Sequence, residues 1–180
     1  MPITNCGFPP MSVIGAPPNI QITSGAQHLV FKGPTTQVEI GFDATMFQNQ
    51  AGSQLLTPAQ SGSGPSASPP VVVAQPKVKV VEALIDTGAS ESCIDEVLAQ
   101  ELGLPMIDQA NGSGIGGTAS FNVYLGHIRI VGLNAVQFGR FMGVKLTDGG
   151  QPHCALIGRS MMQNMILVYD GRTGSVSLAI

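Results

Sequence analysis

Glu82-Ala83-Leu84-Ile85-Asp86-Thr87-Gly88-Ala89-Ser90 is an apolar strand that delivers one carboxylate and then turns sharply. The approach, Val78 to Ile85, is rich in β-branched residues, as a mostly buried strand requires. An acid closing such a strand is costly to bury unless it is hydrogen-bonded or shares a proton. Two readings follow. Asp86 opens a turn and accepts backbone amides near Gly88, or it is half of a catalytic pair. Gly88 is expected to supply backbone angles that a Cβ would forbid.

Downstream, Ser92 to Leu102 carries Ile94, Val97, Leu98 and Leu102 at helical spacing and is closed by Gly103 and Pro105, which predicts a short helix. The letters Gly112-x-Gly114-x-x-Gly117 match a dinucleotide fingerprint, whose chemistry needs a helix N-terminus next. Phe121-Asn122-Val123-Tyr124-Leu125 alternates as a strand instead, so Asn111 to Gly117 reads as a hairpin tip. Strands are expected through His127–Leu133 and Val136–Leu146, with Gly132, Gly139 and Gly143 at bends, and His127 is read as structural. Ala155-Leu156-Ile157 forms a further buried strand broken by Gly158, then a brief helix from Arg159 to Asn164. A hairpin closes the chain, Met165–Tyr169 and Val176–Ile180 around Asp170–Gly174.

Upstream, residues 1–27 hold five prolines among small polar residues and are expected to form an extended arm. Residues 28–42 read as a half-buried strand, on the alternation of Val38, Ile40 and Phe42. Residues 43–76, centred on Ser61–Pro70, are too poor in large apolar side chains to form a core and read as a flexible insertion. Residues 28–180 are therefore expected to form one domain carrying that insertion.

Charged residues make up 11% of the 180, against about a quarter in typical soluble domains, and 23 Gly with 13 Pro imply many turns, which favours an all-β fold. A net charge of −3 and scattered cations argue against nucleic acid as a partner. No apolar window reaches the roughly 18 residues of a membrane span, and the first residues lack signal-peptide character, so a soluble, cytoplasmic protein is the default expectation. Cys6, Cys93 and Cys154 are too few for a disulfide framework, and His153-Cys154 lacks further ligands at metal spacing; reduced thiols and no metal are expected.

Together these segments resemble the retropepsin-like family of retroviral-type aspartic proteases. The Asp86 stretch resembles its active-site strand, Gly114-Ile115-Gly116-Gly117 its flap tip, and Ala155-Leu156-Ile157-Gly158-Arg159 the segment entering its C-terminal helix. Ile115 follows Asp86 by 29 residues and Gly158 by 72, close to the family spacing. The resemblance implies an all-β acid-protease barrel with a flap hairpin and one or two short helices. It implies an aspartic endopeptidase without cofactor, working on a peptide or protein substrate at mildly acidic pH.

Because such chemistry needs two carboxylates sharing a proton, one Asp-Thr-Gly implies a two-fold homodimer with Asp86 from each chain. By resemblance Thr87 braces the pair, Gly88 lets substrate backbone approach, Ala89 supports the site without the hydroxyl that pepsin-like enzymes present there, and Leu84, Ile115 and Leu156 wall apolar pockets. Gly158 and Arg159 support the site. Viral members place an acid where Ser90 stands, pairing it with the arginine; here Glu91 or Asp95 would substitute, or Arg159 is paired differently. The closing hairpin is also closer to pepsin-type enzymes than to the viral interface strand. The competing readings are a non-catalytic dimeric module that grips peptides, and a dimerisation platform using the Pro-rich arm.

Overall fold

In the computed structural model, residues 1–14, 21–43, 77–114 and 117–180 are described. The insertion read at 43–76 falls, from residue 44 on, outside the described residues, as do Ile115 and Gly116. The chain is mostly β. Its strands are β1 (Ile3–Asn5), β2 (Met11–Ile14), β3 (Gln21–Ser24), β4 (Thr35–Gly41), β5 (Val78–Ile85), β6 (Cys93–Asp95), β7 (Met106–Gly114), β8 (Gly117–Ile130), β9 (Ala135–Val144), β10 (Ala155–Ile157), β11 (Ile166–Asp170) and β12 (Ser175–Ala179). Among the described residues three helices accompany them: α1 (Gly25–Lys32), α2 (Glu96–Leu102) and α3 (Arg159–Met162).

Seven strands run in the order β4-β5-β10-β6-β9-β8-β7, and β4 also pairs with β8, so the pairings of six of them close in a ring. β7 and β4 share β8 between them: β7 pairs with residues 117–124 and β4 with residues 127–130. Alternation along the strands turns Val38, Ile40, Ala83, Ile85, Ile128, Ile130 and Ile157 into the interior, with Ile94 and Phe141, and all are buried. Burial of each larger side chain contributes about 1.5–3 kcal/mol. The seam between β4 and β8 is sealed on the outside by Arg129, which faces Glu39 in register and donates to both of its carboxylate oxygens.

Part of the segment read as an arm is woven into this fold. β1 pairs with β12 in a second, three-stranded sheet with β11, and β2 pairs with β3. The expectation of a strand from residue 28 is corrected: residues 25–32 are helical and the strand starts at Thr35. The signal was a capping box at Ser24 and Gln27, in which Gln27 N–H donates to Ser24 Oγ (3.2 Å) and Ser24 N–H to Gln27 Oε1 (2.9 Å). Only Gly25 and Leu29 of α1 are buried, while Val30 and Phe31 are 77% and 86% exposed, so the helix carries no amphipathic pattern to betray it. The helix expected from Ser92 starts later, because Cys93–Asp95 first makes β6, wedged between β10 and β9. Gly103 caps it in the left-handed conformation as expected.

Two buried histidines are expected to make the fold acid-sensitive. His127 lies beside Phe138 with Nδ1 unpartnered and Nε2 3.8 Å from Glu39, and neither ring nitrogen of His153 has a hydrogen-bond partner among the described residues. Burial is the main cause holding both imidazoles below the usual 6.5; for His153 the nearby Lys32 adds to it. Between the depressed folded value and 6.5 the unfolded chain binds protons that the folded chain refuses, so stability is complete above that window and falls as pH drops through it. Glu39, held below its ordinary value of 4.5 chiefly by Arg129, adds a further loss as pH falls below 4.5. The urea midpoint is therefore expected to be flat from pH 8 to about 7 and to fall by pH 5.5, less steeply in His153→Gln. Equal midpoints at both ends would contradict this.

Candidate active site

β10 is inserted between β5 and β6, parallel to the first and antiparallel to the second, so the loop joining β5 to β6 must arch over the end of β10. Asp86 begins that arch. Its N–H donates to Ile157 O (3.0 Å), which locks the end of β5 to the end of β10. Its side chain curls back, and Oδ1 accepts the amides of Gly88 (2.8 Å) and Ala89 (3.3 Å). The turn-opening role and the chemical role are thus compatible. One oxygen holds the turn, and Oδ2 accepts no hydrogen bond among the described residues. Asp86 is half-buried, while Thr87 and Gly88 are exposed.

The need for glycine at 88 differs from the expectation. Its φ is not in the left-handed region. A Cβ there would lie 3.0 Å from Asp86 Oδ1, so the absent side chain is what lets the carboxylate fold onto its own turn.

Arg159 is paired differently from the two acids considered for it. Its guanidinium donates to Thr87 O (2.7 Å) and Gly88 O (3.0 Å), so it braces the arch through carbonyls. Asp95 is occupied elsewhere: almost fully buried, it accepts from Leu98 N–H, Leu146 N–H, Thr147 N–H and Thr147 Oγ1, capping α2 and anchoring the 146–147 segment. The first amides of α3 have no intrahelical acceptor. They are taken by the arch, Arg159 N–H by Ala89 O (3.0 Å) and Ser160 N–H by Ser90 O (2.9 Å). Gly158 is forced by proximity, since a Cβ would meet the Glu91 backbone carbon and oxygen at 2.4 Å.

Three polar residues that motif reading missed complete the brace. Gly158 N–H donates to the buried Ser92 Oγ (3.2 Å), Ser92 Oγ donates to Gln137 Oε1 (3.1 Å), and Gln137 Nε2 donates to Ser160 Oγ (3.5 Å). Cys93, next to this network, is no rival nucleophile. Burial, with the charges of Glu91 and Asp86, pushes its thiol up to about 11.

Leu84 and Leu156 are register partners across β5 and β10, both half-buried, and alternation puts Leu84 on the same side as Asp86. Leu84 also packs close to Gly33, where a Cβ would meet its Cδ1 at 2.5 Å. Gly114 and Gly117 are the last paired rung of the β7–β8 hairpin, with Ile115 and Gly116 beyond it outside the described residues. The site residues brought into contact are thus Asp86, Gly88, Ala89, Gly158 and Arg159, with the Thr87 carbonyl. Among the described residues, Gly114 and Gly117 pair with each other at the end of the hairpin.

A mostly-β chain that ends a buried strand in a backbone-held aspartate, braced by a Gly-Arg segment, has the build of an aspartyl protease domain. A family model described as "gag-polyprotein putative aspartyl protease" matches residues 75–164, half of the chain, and the protein belongs to this retropepsin-like family. No curated protein gives a significant match to it.

Proposed function

We propose that the protein is an aspartic endopeptidase whose site forms from two copies of the chain, with Asp86 of each on a two-fold axis. The observation that carries this reading is the Asp86 carboxylate itself: one oxygen is fixed by the Gly88 and Ala89 amides, and the other accepts nothing among the described residues, on a half-buried side chain at the start of an arch whose next two residues are exposed. In the proposed mechanism the pair shares one proton. The ionised carboxylate takes a proton from a water as it attacks the scissile carbonyl, the protonated one donates to the carbonyl oxygen, and return of a proton to the amine breaks the bond. No cofactor enters this scheme.

The ring of strands serves as the acid-protease barrel, and the β7–β8 hairpin with its 115–116 tip serves as the flap over an extended peptide. Leu84, Leu156 and Ile115 are proposed to favour apolar side chains beside the cut bond. Thr87 is proposed to brace the pair across the axis. A location in the cytoplasm remains an expectation; the described residues contain no helix long and apolar enough to cross a membrane.

A fluorogenic peptide library with apolar pairs is expected to be cleaved, and a hydroxyl-bearing transition-state mimic is expected to block cleavage. Activity per chain should fall on dilution in step with dissociation followed by sedimentation. Undiminished activity at concentrations where only monomers sediment would rule out the two-chain site.

A further inference from the structure

We propose that Glu96 is a positioning residue that sets how the β7–β8 hairpin closes over substrate; this rests on the reading of that hairpin as the flap. Glu96 is the first residue of α2, directly after the buried cap Asp95, whose four hydrogen bonds fix the start of the helix. From this fixed base Glu96 Oε1 accepts from Tyr124 OH (2.6 Å), Asn122 Nδ2 (2.9 Å) and Gln100 Nε2 (2.9 Å). Asn122 Oδ1 in turn accepts from Gln109 Nε2 (3.0 Å), its register partner on the opposite strand. One carboxylate therefore holds both strands of the hairpin to the body of the protein.

The position of this tether decides what it controls. The Gln109–Asn122 rung lies five rungs from the last pair, Gly114–Gly117, and the residues of β8 from Gly117 to Ser120 are exposed. Below it, the Asp108–Arg140 ion pair also joins β7 to β9, but both side chains are more than half exposed and such pairs hold weakly. Glu96, Asn122, Phe121 and the segment around Leu146 line an open depression of about 1120 Å³, so on that side the hairpin base is spanned by the polar chain across a space.

Glycine at 143 admits the carboxylate. A Cβ there would lie 1.9 Å from Glu96 Oε2 and 2.8 Å from Tyr124 Cε2. The nearer atom, Glu96 Oε2, is the end of a flexible side chain, so Gly143→Ala should expel Glu96 from its place while leaving its charge in the protein, and it also presses on the Tyr124 ring, which is why Glu96→Ala is compared with it.

The experiment compares Glu96→Ala, Glu96→Gln and Gly143→Ala in the full chain, by steady-state cleavage of a peptide substrate and by amide hydrogen exchange. Glu96→Ala and Gly143→Ala are expected to raise KM about tenfold, the equivalent of one net hydrogen bond, with a much smaller change in kcat. Exchange should quicken across residues 106–125 and stay unchanged at the 86–92 arch. Glu96→Gln keeps an acceptor oxygen and is expected to restore both readouts.

Wild-type KM and hairpin exchange in both Glu96→Ala and Gly143→Ala would overturn the proposal, as would faster exchange spread evenly over the domain, which marks a merely structural role. If the wild-type chain cuts nothing, the protease reading fails. Hairpin exchange then still decides whether Glu96 holds the hairpin.

Discussion

Asp86→Asn is expected to keep the arch folded and to remove cleavage. Asn presents an Oδ1 that can accept the same Gly88 and Ala89 amides, at 2.8 and 3.3 Å in the wild type, so the turn retains its internal bonds. What is lost is the chemistry at the other atom, because an amide nitrogen in place of Oδ2 neither takes a proton from water nor passes one on. In a two-fold site the substitution strikes both members of the pair at once. General acid–base catalysis contributes about 10²–10⁴-fold, and a loss of at least that size in kcat is expected, with an unchanged urea midpoint. Asp86→Ala differs in a way that separates structure from chemistry: it also removes both side-chain bonds of the turn, leaving Ala89 N–H only the Asp86 carbonyl (3.3 Å) and Gly88 N–H no acceptor in the turn, at about 0.5–1.5 kcal/mol for each bond. Cleavage by Asp86→Asn at the wild-type rate would sink the catalytic assignment.

Gly158→Ala is expected to have the second largest effect, reaching stability and activity together. The added methyl would stand 2.4 Å from the carbon and oxygen of Glu91 and 2.9 Å from the nitrogen of Ser92. All three are backbone atoms, which cannot swing aside as a side-chain tip can. The chain must therefore lift the arch away from α3, stretching the Arg159–Ala89, Ser160–Ser90 and Gly158–Ser92 hydrogen bonds. Overpacking of this kind costs about 1–3 kcal/mol. The arch carries Asp86, and a misplacement of about 1 Å at a reacting group costs about 10²-fold in rate. A lowered urea midpoint together with a comparable fall in kcat/KM is the expected pair of results; wild-type values for both would remove Gly158 from the account of the site.

From β5 onward most strands were legible, because two-residue alternation interrupted by Gly and Pro marks strands and turns locally; β6, only three residues long, was hidden inside the stretch read as helix. The Asp86 turn was legible for the same reason, its letters and its hydrogen bonds lying within four residues. Residue 88 shows the limit of such reading: glycine was expected there for its backbone angles and is needed for its closeness to a carboxylate. Helix α1 was missed because its cap, Ser24 to Gln27, sits in a Pro-rich surrounding and its apolar Val30 and Phe31 face outward. The brace of Ser92, Gln137 and Ser160 left no signal at all. Its partners are 45 and 23 residues apart, and nothing in a run of letters announces that two distant amides and hydroxyls meet. Arg159 was singled out from its motif, but carbonyl acceptors carry no side-chain identity, so the Thr87 and Gly88 carbonyls could not be named in advance.

The placement of β10 also bears on when, during synthesis, the proposed site can form. During synthesis the Asp-Thr-Gly letters leave the ribosome some seventy residues before Ala155–Arg159 do. Until that later segment threads between β5 and β6, the acid's strand is paired with β4 alone and the arch has no brace. A chain made only as far as β9 thus carries the acid without the segment that would hold it, and the proposed site cannot assemble until Ala155–Arg159 has been made.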